Sequence, residues 1–202
     1  TIGYLRITQF SESVPSKVEE ALQELKEKEV EGLILDLRNN SGGLVSSGIA
    51  VADSLLSEKP VVETKNRNGI KDAIISTKEI SFNGPMVTLV NKGTASASEI
   101  LAGSLQDNER SILMGEKTYG KGLIQSLKSL GEDSGIAITV ASYLTPTGQN
   151  IQGRGITPDK FLDLPDAIEF GSNEDKWIRN AEIFLGSLLE KNDEVDNESL
   201  EV

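Results

Sequence analysis

The amino-acid sequence predicts an α/β fold in which helices cover a sheet of buried strands. The first observation is three short apolar runs, at residues 32–37, 86–90 and 112–114, whose length and continuity are typical of buried strands. The second is a helical spacing of apolar residues in the segments between and after these runs. Since strands and helices alternate along the chain, we expect the elements to stack in layers around one core.

Four segments carry apolar residues at helical spacing, and each predicts an amphipathic helix. Pro15 and Ser16 suit the start of the first helix, and residues 107–108 mark the end of the third. The apolar faces consist of Val18, Ala21, Leu22 and Leu25; Val45, Ile49, Ala52 and Leu56; Ala97, Ile100, Leu101 and Leu105; and Trp177, Ile178, Ala181, Phe184, Leu185 and Leu188.

Three further segments are typical of strands. They cover residues 3–7, 60–64 and 135–143, the last because Ile136, Ile138 and Val140 alternate with smaller residues. The polar stretch at residues 65–83 predicts loops or a hairpin. We therefore expect a core domain at residues 1–165 and a C-terminal helical segment at 166–190. We expect the acidic tail at residues 191–202 to be disordered, because it has few apolar residues.

Composition removes several classes of function. The net charge of −12 argues against nucleic acid as a partner, because phosphates would be repelled. There is no histidine and no cysteine, which excludes Cys nucleophiles, Ser-His-Asp triads and zinc sites built on the usual ligands. A hydrolase of this composition needs Lys, Asp, Glu or Tyr as its base. A carboxylate-only magnesium site stays open but has no clustered acidic motif to support it.

Ser96 lies in a turn of small residues between a buried strand and a helix. Such a turn can expose a nucleophilic hydroxyl, and the unpaired N–H groups at the helix start can stabilise an oxyanion. The alternative is a capping box, because Glu99 follows Ser96 by three residues. The local pattern alone favours the capping box.

Lys121 lies between Gly120 and Gly122, where no bulky neighbour shields it. By pattern alone it is a solvated lysine in a turn, and the order of a phosphate-binding loop is not met. A lysine amine acts as a base near neutrality only when its pKa falls by about three, which corresponds to about 4 kcal/mol and which burial can cause. The hypothesis of a lysine base therefore requires Lys121 to be buried and without a carboxylate partner.

The turn at residues 39–43, Asn-Asn-Ser-Gly-Gly, also follows a buried strand and precedes a helix. Its glycine N–H groups are sterically open and could face a developing oxyanion. An ordinary strand-to-helix turn would have the same composition, and the pattern alone favours that alternative.

Taken together, these segments resemble the C-terminal processing peptidases, also called tail-specific proteases. The resemblance covers most of the chain, from about residue 3 to residue 159. The motifs that carry it lie at residues 3–10, 35–43, 93–100, 115–122 and 148–153. Residues 8–10 and 101–108 look most similar to the cyanobacterial and chloroplast enzymes that trim a photosystem II reaction-centre subunit.

The resemblance implies a ClpP/crotonase-like α/β core and a serine endopeptidase that needs no metal or cofactor. It puts the nucleophile at Ser96, the base at Lys121, a residue that orients the lysine at Gln125, and the oxyanion donors at the N–H groups of Gly42 and Ala97. One implication is in tension with geometry. In a straight strand, Lys121 and Gln125 would lie about 13 Å apart and could not form a hydrogen bond.

The resemblance also implies partners and a location. The family carries a PDZ domain that captures the substrate's C-terminus just before the strand at residues 3–7, and the sequence given begins at Thr1. We expect this chain to lack that domain and to cleave poorly or without selectivity. The expected site is extracytoplasmic, in a periplasm or thylakoid lumen, with peripheral membrane association open to the full-length protein. Two alternatives stay open: an inactive peptide-binding or scaffold domain of the same fold, and a crotonase-type acyl-CoA enzyme.

Overall fold

A computed structural model describes residues 1–69, 71–77, 79–131, 134–163 and 169–199 of the chain. Nine strands and four helices lie within these residues. In chain order they are β1 (Ile2–Arg6), α1 (Val14–Glu27), β2 (Gly32–Asp36), α2 (Val45–Leu55), β3 (Pro60–Asn66), β4 (Lys71–Ile75), β5 (Met86–Val90), α3 (Ala97–Asp107), β6 (Ile112–Gly115), β7 (Leu123–Gly131), β8 (Ser134–Leu144), β9 (Lys160–Phe161) and α4 (Lys176–Ser199).

The central sheet is parallel throughout, in the order β1-β2-β5-β6-β9. Its strands are apolar runs because both faces are covered. On β2, Leu33 and Leu35 face a core that they share with α1, α2 and α3. Ile34 faces the opposite side, where Trp177 and Leu185 of α4 complete a second core. The helices thus form a layer on each side of the sheet.

A second sheet is antiparallel, in the order β4-β3-β8-β7. Val61 and Val62 of β3 and Tyr143 of β8 belong to the same core as α1 to α3. β8 pairs with β3 only over residues 141–144, so the rest of β8 and its partner β7 form a two-stranded ribbon that extends beyond β3. Residues 134–140 of that ribbon are exposed to solvent.

The predicted α/β core and C-terminal amphipathic helix are confirmed. β4 supplies the hairpin expected within residues 65–83, of which residues 70 and 78 lie outside the described residues. Two strands were not predicted: β7, whose apolar residues are mixed with polar ones and glycine, and the two-residue β9. β7 is defined by its pairing with β8, the next strand along the chain, and β9 by its pairing with β6, which is distant in sequence.

The last helix is longer than expected. α4 runs through Ser199, so its backbone continues past residue 190, where the sequence predicts a disordered tail. Residues 164–168, which include the expected boundary at 165/166, and residues 200–202 lie outside the described part of the chain. The division into a core, a helical segment and a tail stays a prediction. Among the described residues, no helix is both long and apolar enough to cross a membrane.

Candidate active site

Three loops meet at one edge of the parallel sheet. They follow β2, β5 and β6, which are neighbours in the sheet and end on the same side. The Ala95 N–H donates to the carbonyl oxygen of Asn40 at 3.0 Å, and the Tyr119 N–H donates to that of Thr94 at 3.0 Å. The loop after β5 is therefore bonded to both of the others, at the edge where α/β sheets bind ligands.

Ser96 has a backbone conformation that non-glycine residues rarely adopt. Its φ is 56° and its ψ is −119°, at the junction between the loop after β5 and α3. Such conformations cost about 1–3 kcal/mol and persist only where the surroundings hold them. The side chain is half-buried, at the N-terminus of a helix whose residues from Ala97 to Leu105 are all buried. This is the strand–turn–helix setting of an exposed nucleophile.

Glu99 joins the serine turn to the lysine loop. Its carboxylate is fully buried. The Oε2 atom accepts the Ser96 N–H at 2.9 Å and the Lys121 N–H at 2.8 Å. The Oε1 atom accepts the Thr118 hydroxyl at 2.5 Å and the Gly120 N–H at 2.7 Å. Four donors satisfy this buried charge, and one of its oxygens connects the backbones of the predicted nucleophile and base directly.

The Lys121 side chain is exposed in this structure. The expectation of a buried amine is therefore wrong for the chain as described. The physical reason is that Lys121 lies in an open loop, beside Tyr119, whose exposed fraction is 69%, and Leu123 at 39%. Among the ion pairs of the described residues, none involves Lys121.

Lys121 lines a cavity of about 600 Å³. Gln125 lines the same cavity, which brings two of the predicted site residues together. Of its nine described lining residues, Lys121 is the only Lys, Arg, Asp or Glu. The others are Ser41, Gly93, Ala95, Tyr119, Gly120, Leu123, Gln125 and Gln152.

The backbone between Lys121 and Gln125 is not a straight strand. β7 begins only at Leu123, and its pairing with β8 shifts register between Ile124 and Gln125. The premise for a 13 Å separation therefore does not hold, because the segment is not a regular strand over its whole length. Gln125 is itself exposed and pairs in the sheet with Thr139. A contact between Gln125 and the lysine stays a prediction.

Gly42 lies directly against the serine turn. A Cβ atom at this position would lie 2.8 Å from the Ser96 Cβ and 3.1 Å from the Ala97 nitrogen. Ala97 is the first residue of α3, so its N–H has no carbonyl partner within the helix. The Gly42 N–H, however, donates to Asn40 Oδ1 at 2.9 Å. The two predicted oxyanion donors are thus brought together, but one of them has an acceptor already.

Asparagine side chains hold the loops after β2 and β5. Asn91 Oδ1 accepts the Asn39 N–H at 2.9 Å, and its Nδ2 donates to Asn39 Oδ1 at 2.9 Å. Asn40 is buried and donates from its Nδ2 to the carbonyl oxygen of Ile7 at 2.8 Å. These bonds fix the backbone on both sides of the predicted oxyanion site.

Sequence reasoning gave no site role to several of these residues. Glu99 was visible as half of a capping box, and its link to the lysine loop depends on the fold. The charged pair of Asp36, the last residue of the buried strand β2, and Arg38, which follows it, was a local signal that could have been used. Asp175, which binds Arg38 from 137 positions away, gave no local signal.

Comparisons with known proteins found similar sequences and a similar fold. The family described as Peptidase family S41 matches residues 1–161. A carboxyl-terminal-processing protease from Synechocystis sp. is 50% identical over 165 residues, which make up 82% of this chain and 39% of that protein. A chloroplastic C-terminal processing peptidase from Tetradesmus obliquus is 43% identical over 172 residues, 83% of this chain and 37% of that protein.

A solved structure gives the same result. It is that of a photosystem II D1 C-terminal processing protease, with a TM-score of 0.77 and 43% identity over 80% of this chain and 42% of that one. The resemblance predicted from the motifs is confirmed by these matches. The chain spans less than half the length of each of these relatives.

Proposed function

The chain belongs to peptidase family S41, and from that premise we propose that it is the catalytic core of a serine endopeptidase that cuts proteins near their C-terminus. One observation carries the proposal: Ser96 is held in a rare backbone conformation, and the carboxylate oxygen that binds its N–H also binds the N–H of Lys121. A serine and a lysine on separate loops are thereby joined through one carboxylate, and the lysine lines the cavity.

In the proposed reaction, the neutral amine of Lys121 takes the proton from the Ser96 hydroxyl as its oxygen attacks the substrate carbonyl. The tetrahedral oxyanion collapses, the peptide C–N bond breaks, and the lysine ammonium gives its proton to the leaving amine. Water then loses a proton to Lys121 and attacks the acyl-enzyme; the ester C–O bond breaks, and the lysine ammonium returns the proton to the Ser96 oxygen as the new C-terminus is released. Gln125 would orient the lysine.

The exposure of Lys121 sets a condition on this reaction. A substrate segment that fills the cavity of about 600 Å³ would exclude water from the amine. The other described lining residues include no carboxylate that could stabilise the ammonium form instead. Loss of water favours the neutral form of a lysine. The amine would therefore become a base only when the substrate is bound.

The oxyanion would be stabilised by the N–H groups of Ala97 and Gly42. The Gly42 N–H would exchange its present acceptor, the neutral amide oxygen of Asn40, for the oxyanion. Hydrogen bonds to charged acceptors are roughly twice as strong as those between neutral groups, so this exchange is favourable once charge develops.

The test is cleavage of peptides with an extended C-terminus by the 202-residue chain, followed by mass spectrometry of the fragments. We expect slow cleavage, with cuts near the C-terminus, that Ser96→Ala abolishes and that Ser46→Ala, at an exposed serine of α2, leaves unchanged. A Ser96→Ala protein that folds and still cleaves would refute the assignment.

The extracytoplasmic site, in a periplasm or thylakoid lumen, is supported by the chloroplastic relative, and recovery of the protein with cytoplasmic markers would contradict it.

A second candidate function is an inactive peptide-binding domain of the same fold. The exposed Lys121 amine and the engaged Gly42 N–H favour it. The two functions differ in one measurement: a binding domain holds the peptide with equal affinity before and after long incubation and releases no fragment.

A further inference from the structure

Asp175 lies outside the residues that match the peptidase family, which end at residue 161. It directly precedes α4, on the face of the parallel sheet opposite α1 to α3. Its side chain is nevertheless fully buried, and both carboxylate oxygens accept hydrogen bonds from Arg38: Oδ1 from Nη1 at 3.0 Å and Oδ2 from Nη2 at 2.6 Å. A segment beyond the family match thus reaches the end of β2.

The Arg38 guanidinium contacts two carboxylates and two aromatic rings. Besides its bidentate hydrogen bonds to Asp175, it donates two to Asp36, from Nε at 2.9 Å and from Nη2 at 2.6 Å. The rings of Phe170 and Trp177 lie 4.3 and 5.5 Å from it, measured from the guanidinium carbon to the ring centroids. Arg38 is fully buried, so two carboxylates and two aromatic rings replace its water.

The charges in this cluster are stable at neutral pH. Burial by itself would raise the pKa of Asp175, but the hydrogen bonds from Arg38 and from backbone N–H groups hold that pKa below its ordinary value. Burial likewise opposes the charge of Arg38, and its hydrogen bonds to Asp36 and Asp175 raise its pKa instead. Loss of one carboxylate would therefore leave a buried charge with half of its partners.

Arg38 is also the residue before the predicted oxyanion loop. The next two residues, Asn39 and Asn40, make the hydrogen bonds that fix this loop, and Gly42 lies against Ser96. Asp36 is two positions from Arg38 and on the same segment, so it fixes the guanidinium only locally. Asp175 is the carboxylate that ties it to another layer of the fold.

We propose that Asp175 is a positioning residue, which acts through Arg38 to hold the loop at residues 39–43 against the Ser96 turn. The proposal deepens the proposed function and rests on it for the catalytic consequence. Buried ion pairs contribute little net stability compared with apolar packing, and they are retained in some proteins because they select one conformation. Here the conformation selected is that of the loop carrying the Gly42 N–H.

The test compares Asp175→Asn, which keeps the shape and removes the charge, with two control variants of α4. Glu182→Gln makes the same chemical change at an exposed position of the helix, and Leu185→Ala weakens the packing of α4 without removing a carboxylate or a ring from Arg38. We expect Asp175→Asn to lower kcat at least tenfold with less than a twofold change in KM, since misplacement by about 1 Å can cost about 100-fold. Glu182→Gln should leave both constants unchanged.

The second readout does not require turnover. Amide hydrogen exchange at Asn39, Asn40 and Gly42 should be at least tenfold faster in Asp175→Asn than in the wild-type chain and in Leu185→Ala. If the wild-type chain cleaves nothing, the proposed function fails while this exchange measurement still decides the positioning role. If Asp175→Asn does not fold, Asp175→Glu, which keeps the charge and lengthens the side chain, takes its place. The proposal would be overturned if amide exchange at the loop in Asp175→Asn were as slow as in the wild type. It would also be overturned if Leu185→Ala lost as much kcat as Asp175→Asn.

Discussion

Replacing Glu99 by Gln removes the acceptor that joins the serine turn to the lysine loop. The carboxylate accepts four hydrogen bonds, and a glutamine in the same position has an NH₂ group in place of one oxygen. If that group replaces Oε2, the N–H groups of Ser96 and Lys121 face another donor. If it replaces Oε1, the Gly120 N–H does so and the Thr118 hydroxyl must reverse its role.

The expected loss follows from these contacts. One bond is lost when the NH₂ group replaces Oε1 and two are lost when it replaces Oε2, so at about 1.5–3 kcal/mol for each bond to a charged group the free energy of unfolding falls by about 1.5–6 kcal/mol. The reaction should suffer as well, because a shift of about 1 Å between serine and lysine costs about 100-fold in rate. We therefore expect kcat to fall by about two orders of magnitude in the fraction that folds.

Urea unfolding and kcat for peptide cleavage measure the two effects. Glu116→Gln is the matched control, because Glu116 lies in the loop that carries Lys121 and its ion pair with Lys92, at 3.5 Å, is partly exposed. Such pairs contribute about 0–1 kcal/mol, so this variant should resemble the wild type in both assays. A Glu99→Gln chain with the stability and kcat of the control would refute the account of the loops given above.

Three further predictions concern single positions. Gly42→Ala, whose Cβ would lie 2.8 Å from both the Ala95 oxygen and the Ser96 Cβ at a φ of 102°, should lose activity by at least about 100-fold; full activity would contradict the loop geometry. Gln125→Ala should lower kcat about tenfold without changing the melting temperature, because its side chain is exposed at the cavity; an unchanged kcat would remove it from the site. The pKa of Asp175 is depressed in the folded state, so its charge should stabilise the fold fully above its ordinary pKa of 3.8 and lose this effect as pH falls below that value. The free energies of unfolding of the wild type and of Asp175→Asn, measured in urea, should therefore become equal at low pH. A difference that stays constant with pH would contradict this.

The layers of the fold were predictable because burial on both faces leaves a local trace. Every residue of β2 and β5 is buried, and both strands stand out in the sequence as apolar runs. β7 left no such trace, since its outer part belongs to a ribbon whose partner strand is exposed over residues 134–140. Its pairing with β8, and not an apolar face, defines it as a strand.

The candidate site was predictable to a different depth. Motif order indicated which loops would matter, because loops after neighbouring parallel strands meet at one edge. It did not indicate that the Lys121 side chain is exposed, that the Gly42 N–H donates to the Asn40 side chain, or that Asp175 accepts hydrogen bonds from Arg38. Each of these depends on side-chain placement between segments far apart in sequence, which no local spacing encodes.

The central claim is that Ser96 is a nucleophile served by Lys121. The most direct measurement is covalent labelling of the chain with a peptide that carries a fluorophosphonate, so that the probe fills the cavity around Lys121, with the modified residue mapped by mass spectrometry in the wild type and in Lys121→Ala. The account predicts a single label on Ser96 that forms at least tenfold more slowly without the lysine, in line with the rate that a positioned base contributes. Labelling of another residue, or labelling of Ser96 at the same rate in Lys121→Ala, would contradict it.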